Sequence, residues 1–304
     1  MRKTLLLAVI ACFILPQIAF GGAWTLPKHG LWGEYAVKWN WADDDFNGSA
    51  KRVDKTRDAK TWGWSMNPKV EFGLTDKITL MGGLEYKEAS YKEYARPVAW
   101  GPYSVKNHAL TSIDGGVKVK LVDKPLVVSG QFKGIFYTEY QDKALEDVAE
   151  APELGDRTNA YEVRVLASKK WETEIPFYLG AETGYRYNEK NIHDQVPFFV
   201  EAGFWPLSWL LVKSEVDGFF GIPSTSGKGA VRKEYAIVRV GPSIELLELF
   251  DVLTGRSYSE GDGSVNSVTR GGRSLSIDVQ YGFWFWGRNV SADQEVVLKI
   301  AGQY

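Results

Sequence analysis

From residue 31 to the end of the chain, apolar side chains recur at every second position in about twelve short stretches, and the alternate positions carry charged groups. The last stretch shows the pattern plainly. Val296, Leu298, Ile300, Gly302 and Tyr304 fall on one side, and Val297, Lys299, Ala301 and Gln303 on the other. A period of two is what a β-strand imposes, because successive side chains point to opposite faces of a sheet. A chain written this way through its whole length is all-β.

Taken in order, the apolar rows are Leu31, Gly33, Tyr35, Val37, Trp39 and Trp41, then Trp62, Trp64, Met66, Val70, Phe72 and Leu74, turning at 75–77 into Ile78, Leu80, Gly82, Leu84 and Tyr86. A loop over 87–107 leads to Ile113, Gly115, Val117, Val119 and Leu121, a short turn at 122–125, and Val128 to Phe136. After a loop over 141–158 come Tyr161 to Ala167, a turn at 172–176, and Phe177 to Tyr187. The run 196–212 is the best candidate for a membrane helix, but Pro197, Glu201 and Pro206 break it, and it reads better as a hairpin turning at 206–208. Ala236 to Leu246 form a weaker strand, blurred by Tyr235 and Ile237, and 247–272 is too long for the short turn expected there unless it hides a further hairpin. Leu275 to Phe285, a turn at 286–289 and the final strand complete a count of about twelve strands, with ten to fourteen admissible. Pro68 and Pro242 are expected at bulges or strand ends, since proline cannot donate to a ladder.

Short connections alternate with long ones, the rhythm of an up-and-down antiparallel transmembrane β-barrel. Composition agrees: 44% apolar residues, 14% aromatic and 12 Trp coexist with a mean hydropathy of -0.23. A helical membrane protein needs runs of about 20 apolar residues, whereas a barrel needs only alternation. Trp39, Trp41, Trp62, Trp64, Tyr185, Tyr187, Phe283 and Phe285 gather near strand ends, where amphipathic rings would meet a bilayer interface. At the N-terminus, Arg2 and Lys3 precede an apolar run over 5–15, and Ala19 and Gly21 frame a cleavage site. Residues 1–21 are therefore expected to be a secretory signal and 22–304 the barrel. Cys12 resembles a lipoprotein-processing position, but the apolar core continues past it. Its removal would leave no cysteine, excluding disulfides, thiol catalysis and Cys-ligated zinc. Losing the leader leaves 34 basic residues against 38 acidic ones, which implies no nucleic-acid partner.

If the apolar rows face lipid, the alternate rows line the lumen: Glu34, Lys38, Glu85, Lys118, Lys133, Glu162, Arg164, Glu182, Arg186, Glu201, Arg239 and Asp278 are the candidate lining residues, with Glu71, Asp114, Gln131, Lys213, Glu215, Asp217 and Gln280 on the same rows. Pairs such as Glu162 with Arg164 and Glu182 with Arg186 could line a wet pore or knit it shut.

On these rows, the terminal aromatic Tyr304 and the Gly287-Arg288-Asn289 turn, the chain resembles bacterial outer-membrane β-barrels. It is similar to small porin-like or transporter-like barrels grouped loosely with aromatic-compound uptake channels. The resemblance implies outer-membrane localisation, lipid as partner, small solutes as cargo, and a C-terminal strand read by the barrel assembly machinery. It supplies no catalytic residues and no cofactor. A closed adhesive or structural barrel is the second reading, and an outer-membrane hydrolase the third.

Three motifs could carry other chemistry. Asp43, Asp45, Asn47, Gly48 and Asp54 match calcium-loop positions, but Asp54 replaces the long bidentate Glu, Lys51 and Ala50 depart from the pattern, and no helices flank it. An acidic surface loop is the expectation, with no metal. The segment 141–158 carries Asp142, Glu146, Asp147, Glu150, Glu153 and Asp156, either a solvated loop or an acidic constriction favouring cations. His29, His108 and His193 are the available neutral-pH bases, and His108 lies near Thr111 and Ser112, but no spacing specifies a triad.

Overall fold

The computed structural model describes residues 22–94, 103–138, 152, 154–190, 192–222, 231–254 and 274–304. The expected leader 1–21, with Cys12, and most of the acidic loop 141–158 lie outside the described residues. The strands are β1 (Leu31–Ala42), β2 (Asp44–Phe46), β3 (Arg52–Asp54), β4 (Lys60–Thr75), β5 (Ile78–Glu93), β6 (Tyr103–Val122), β7 (Val127–Tyr137), β8 (Ala160–Trp171), β9 (Phe177–Asn188), β10 (Asp194–Leu207), β11 (Leu210–Ile222), β12 (Glu234–Glu245), β13 (Ser274–Arg288), β14 (Val290–Ser291) and β15 (Gln294–Gln303), and α1 (Leu246–Thr254) follows β12 directly. Apart from β2, β3 and β14, which form a small separate sheet, the strands close into a twelve-stranded barrel in sequence order. β15 pairs antiparallel with β1 from Trp32 opposite Gln303 to Trp41 opposite Gln294. The seam is finished by Leu31 and Tyr304, whose amides each donate to the other's carbonyl, at 2.7 and 2.6 Å. Closure leaves no sheet edge, which is what lets strands cross hydrocarbon with every backbone group paired.

The barrel is inside out by the standard of a water-soluble protein. Val163 and Val165 are 56% and 54% exposed, while Glu162 between their row and the next strand is fully buried. Charged residues are seldom buried in soluble domains, and here Lys118, Glu201, Glu215, Arg239 and Asp278 all are. The apolar surface therefore faces hydrocarbon and the charged rows face the lumen. No helix among the described residues is long and apolar enough to cross a membrane. The end that holds the start of β1, the end of β15 and the turns at 76–77, 123–126, 172–176 and 208–209 is the short-turn, periplasmic end.

Several expectations change. The loop over 87–107 is mostly strand: β5 runs on to Glu93 and β6 starts at Tyr103. Beyond the bilayer both faces of a strand meet water, so no apolar row marks it. The connection at 286–289 is no tight turn, because β13 continues to Arg288 and β14 then joins β2 and β3. Residues 246–254 form a helix where a turn or hairpin was expected, and 255–273 lie outside the described residues. Pro68 and Pro242 sit neither at bulges nor at strand ends. Each pairs on one side, with Tyr35 and Val212. On the other side the ladder skips it and resumes in unchanged register, so one missing donor is absorbed locally.

Candidate functional site: the lumen and its periplasmic mouth

Alternation carries one charged row per strand into the lumen, and the lumen solves the cost of burying them by pairing. On β8 to β10, Glu162 accepts from Arg164 Nε at 2.6 Å and from Arg186 Nε at 2.7 Å. Arg164 Nη1 also donates to Glu182 at 3.1 Å, and Arg186 Nη1 to Gln195 at 3.3 Å. A second network spans β11 to β15. Glu215 accepts from Lys299 at 3.0 Å and Gln280 at 2.8 Å, Arg239 Nε donates to Glu295 at 2.5 Å, and Lys213 pairs with Asp278. These pairs link strands along the wall, and a cavity of about 420 Å³ remains.

The structure places the candidate lining residues unevenly. Glu34, Lys38, Lys133, Arg164, Glu182, Glu201, Arg239 and Asp278 line the cavity. Glu162 and Arg186 stand in the wall network beside it. Glu85 lies apart, paired with Lys87 at 3.1 Å and accepting from the Thr111 hydroxyl at 3.0 Å. Lys118 is taken up at the periplasmic mouth, beside Glu71. Among the cations that line the cavity, Lys38 and Lys133 are the two without an ion-pair partner among the described residues, and Glu201 is an acid on the same wall that likewise has none. Lys69, Lys299, Glu245 and Glu295 join the lumenal set without having been singled out. The first three line the cavity, and alternation alone placed Lys69, on the row of Glu71, among them.

Tyr235 and Ile237, which blur the alternation of β12, do so because they point inward. Across from Ile237 stands Trp284, and Tyr235 stacks on the Trp284 ring at 4.3 Å and meets Phe219 edge-on at 4.5 Å. Arg186 lies 5.9 Å from the Phe219 ring centre. An aromatic shelf therefore adjoins the ion-paired wall, and a register shift between Ala236 and Ile237 accompanies it.

The periplasmic mouth is crossed by residues 22–30, to which the sequence pattern assigns no role. Leu26 N donates to Thr79 Oγ1 at 2.9 Å, Ala23 N to Ser168 Oγ at 3.2 Å, and the Ser129 hydroxyl to the Ala23 carbonyl. Lys118 Nζ reaches the carbonyls of Gly22 and Trp24 at 3.3 and 3.2 Å as well as Glu71. Trp24 packs on a buried cluster of Tyr178, Trp205 and Leu211. Gly73 makes room: a Cβ there would sit 1.9 Å from the Pro27 carbonyl oxygen. The sequence signal was the placement of Ser, Thr and Gly at inward positions on these strands, small residues where other strands carry charges.

At the outer end, Asp43, Asp44 and Asp45 pair with Lys60, Arg52 and Lys55 instead of converging on one point, and Asn47 Oδ1 accepts from the amides of Ser49 and Lys51. No group of metal-ligating side chains occurs among the described residues. His108 is exposed, and the Thr111 hydroxyl is committed to Glu85.

A closed barrel with an apolar exterior and charged interior is a bacterial outer-membrane β-barrel. Among solved structures the chain is similar to an outer-membrane channel from Pseudomonas putida F1, at 12% identity and a TM-score of 0.60, over 95% of this chain and 100% of that one. That likeness shows the same fold. Much looser matches include the transport unit of the autotransporter AIDA-I from Escherichia coli (9% identity, TM-score 0.43, 91% and 90% coverage) and the translocator domain of the autotransporter NalP from Neisseria meningitidis (9%, 0.41, 100% and 94%). No family model and no curated protein matches the chain.

Proposed function

We propose that this barrel is a channel that passes small polar or charged solutes across the outer membrane, without catalysis. The observation that carries the reading is the 420 Å³ cavity inside a wall most of whose cations are paired, with Lys38 and Lys133 left without an ion-pair partner among the described residues to meet a solute. A cavity of that size holds a small molecule and no more. Around it the fixed charges supply a polar path that hydrocarbon cannot. Among the described residues, His29, His108 and His193 lie away from the cavity lining. The partners in this reading are outer-membrane lipid on the outer wall, a small solute within, and the barrel assembly machinery at β15 during biogenesis.

One observation favours the second reading, a closed barrel that presents its outer loops. Residues 22–30 cross the periplasmic mouth with Ala23 and Leu26 buried. In the channel reading this segment narrows the exit and a solute passes beside it or displaces it. Single-channel recording on purified protein in a planar bilayer decides between them: stepwise current at low voltage supports the channel, and silence from folded, heat-modifiable protein supports the closed barrel. Turnover of lipid or peptide substrates by the same preparation would overturn both.

A further inference from the structure

The helix α1 is an unusual thing to find at the short-turn end of a barrel, and its sequence is lopsided. Leu246, Leu249, Phe250 and Leu253 recur at the i, i+3, i+4, i+7 spacing of one helical face, and Glu248 and Asp251 fall on the other. The helix buries none of its residues. Phe250, Val252 and Leu253 are 55%, 57% and 75% exposed, within or above the range of the side chains of the lipid-facing belt. A single exposed leucine needs no account, but three adjoining apolar side chains on one short helix do.

We propose that α1 lies in the periplasmic leaflet of the outer membrane, its Phe250 and Leu253 face sunk at the boundary between headgroups and acyl chains. Continuity argues for lipid as the occupant. The outward row of β12, Val238, Val240, Pro242 and Ile244, leads without a break into Leu246, and α1 packs beside β12 and β13, whose outward rows face hydrocarbon. The rim of the same end is already apolar: Leu207 and Phe204 are 49% and 44% exposed. The segment that follows, 255–273, is Gly- and Ser-rich with few apolar residues, so its composition offers little to cover the helix. An amphipathic helix tethered at the membrane surface satisfies its apolar face by lying in the interface plane.

The test uses the full-length protein in phosphatidylethanolamine and phosphatidylcholine vesicles. On a Cys12→Ala background the chain has no other cysteine, so Phe250→Cys, Leu253→Cys and Glu248→Cys each carry one nitroxide label. Labels at 250 and 253 are expected to collide more with membrane-dissolved oxygen than with an aqueous nickel chelate, and the label at 248 the reverse. Equal nickel access at all three positions would place the helix in periplasmic water and overturn the proposal. Shielding of 250 and 253 from both reagents would mean that protein covers them, and would overturn it equally. Each variant is first checked for the heat-modifiable mobility of a folded barrel. Because the readout is position and not transport, failure here leaves the channel reading untouched.

Discussion

The segments at the two ends of this barrel are held in place by different chemistry. At the periplasmic mouth the obstruction is a separate stretch of chain, residues 22–30, held mostly by neutral hydrogen bonds to the Thr79, Ser129 and Ser168 hydroxyls, with Lys118 on the Gly22 and Trp24 carbonyls, and by the packing of Trp24. At the outer end the small sheet of β14, β2 and β3 is tied by charge, with the exposed Arg52 of β3 paired to Asp44 of β2 and the buried Lys55 bridging Asp45 and the Ser291 hydroxyl. Neutral hydrogen bonds contribute about 0.5–1.5 kcal/mol each and are indifferent to salt and pH. Exposed ion pairs contribute less and respond to both. The inner obstruction is therefore removable as a unit, and the outer clasp is tunable. Between them stands the ion-paired wall, which neither end can move.

The largest expected effect comes from breaking that wall. Glu162→Gln takes the shared buried acid from the partly buried Arg164 and Arg186, of which Arg164 keeps Glu182, a change that costs about 1.5–3 kcal/mol in stability. Urea unfolding in detergent micelles, followed by the mobility of folded and unfolded bands, should show the midpoint fall. Adding Arg164→Met should recover part of the loss. An unchanged midpoint for Glu162→Gln would mean that the wall is solvated and does not hold the two ends apart.

Next comes the inner mouth. Deleting residues 22–30 should raise single-channel conductance several-fold while the barrel still folds, because β1 begins only at Leu31 and its pairing with β15 and β4 is untouched. Gly73→Ala is the milder form, since the new Cβ would press on the Pro27 carbonyl, and its conductance should lie between those of the parent and the deletion. Equal conductance in all three proteins would show that the narrowest point lies elsewhere.

What could be read from the sequence divides along the same physical line. Lipid demands an apolar side chain at each outward position, so the twelve strands and their sidedness were legible wherever hydrocarbon imposes its rule. Where both faces meet water the rule lapses, which is why Ser90, Tyr91 and Lys92 read as loop though they belong to β5. The helical spacing of Leu246, Leu249, Phe250 and Leu253 is visible, but it spans only nine residues between strands whose period of two dominates the chain. In the lumen, alternation identified which charges face inward but not which of them pair. Pairing depends on closure around the barrel, as in Lys299 of β15 reaching Glu215 of β11. The segment 22–30 has no periodicity at all, and only the barrel wall gives its backbone groups partners.

The outer end supplies a pH-dependent contrast. Asp293, between β14 and β15, takes a hydrogen bond from Asn40 at 3.2 Å, and its other carboxylate oxygen is buried with no partner among the described residues. Burial pushes its pKa up from 3.8 to about 6, against the pull of Lys55. A carboxyl raised on folding leaves stability intact below the unfolded value. Stability is lost as pH climbs through the folded value, between about 4 and 6 here. After allowance for solvent screening the loss is on the order of 1–2 kcal/mol. Thermal unfolding of the parent should therefore worsen from pH 4 to pH 7 relative to Asp293→Asn, in which this contribution is flat. Parallel profiles for the two proteins would show that Asp293 stays hydrated.

The smallest effect bears most directly on function. If the cavity is the path, its two unpaired cations bias what enters it, whereas Lys69, Lys213 and Lys299 are each balanced by a carboxylate. Free charges on a narrow low-dielectric wall raise the local concentration of counter-ions. Lys38→Glu and Lys133→Glu should each shift the reversal potential in a salt gradient toward cation preference, by about a factor of two in permeability ratio. The two shifts should add, since the residues stand on strands β1 and β7, separated by β4, β5 and β6. Deleting residues 22–30 should weaken both shifts, because a wider exit lets ions pass farther from either lysine. A reversal potential indifferent to both substitutions would mean that current flows outside this cavity, and the wall and the mouth would then have to be compared around a different path.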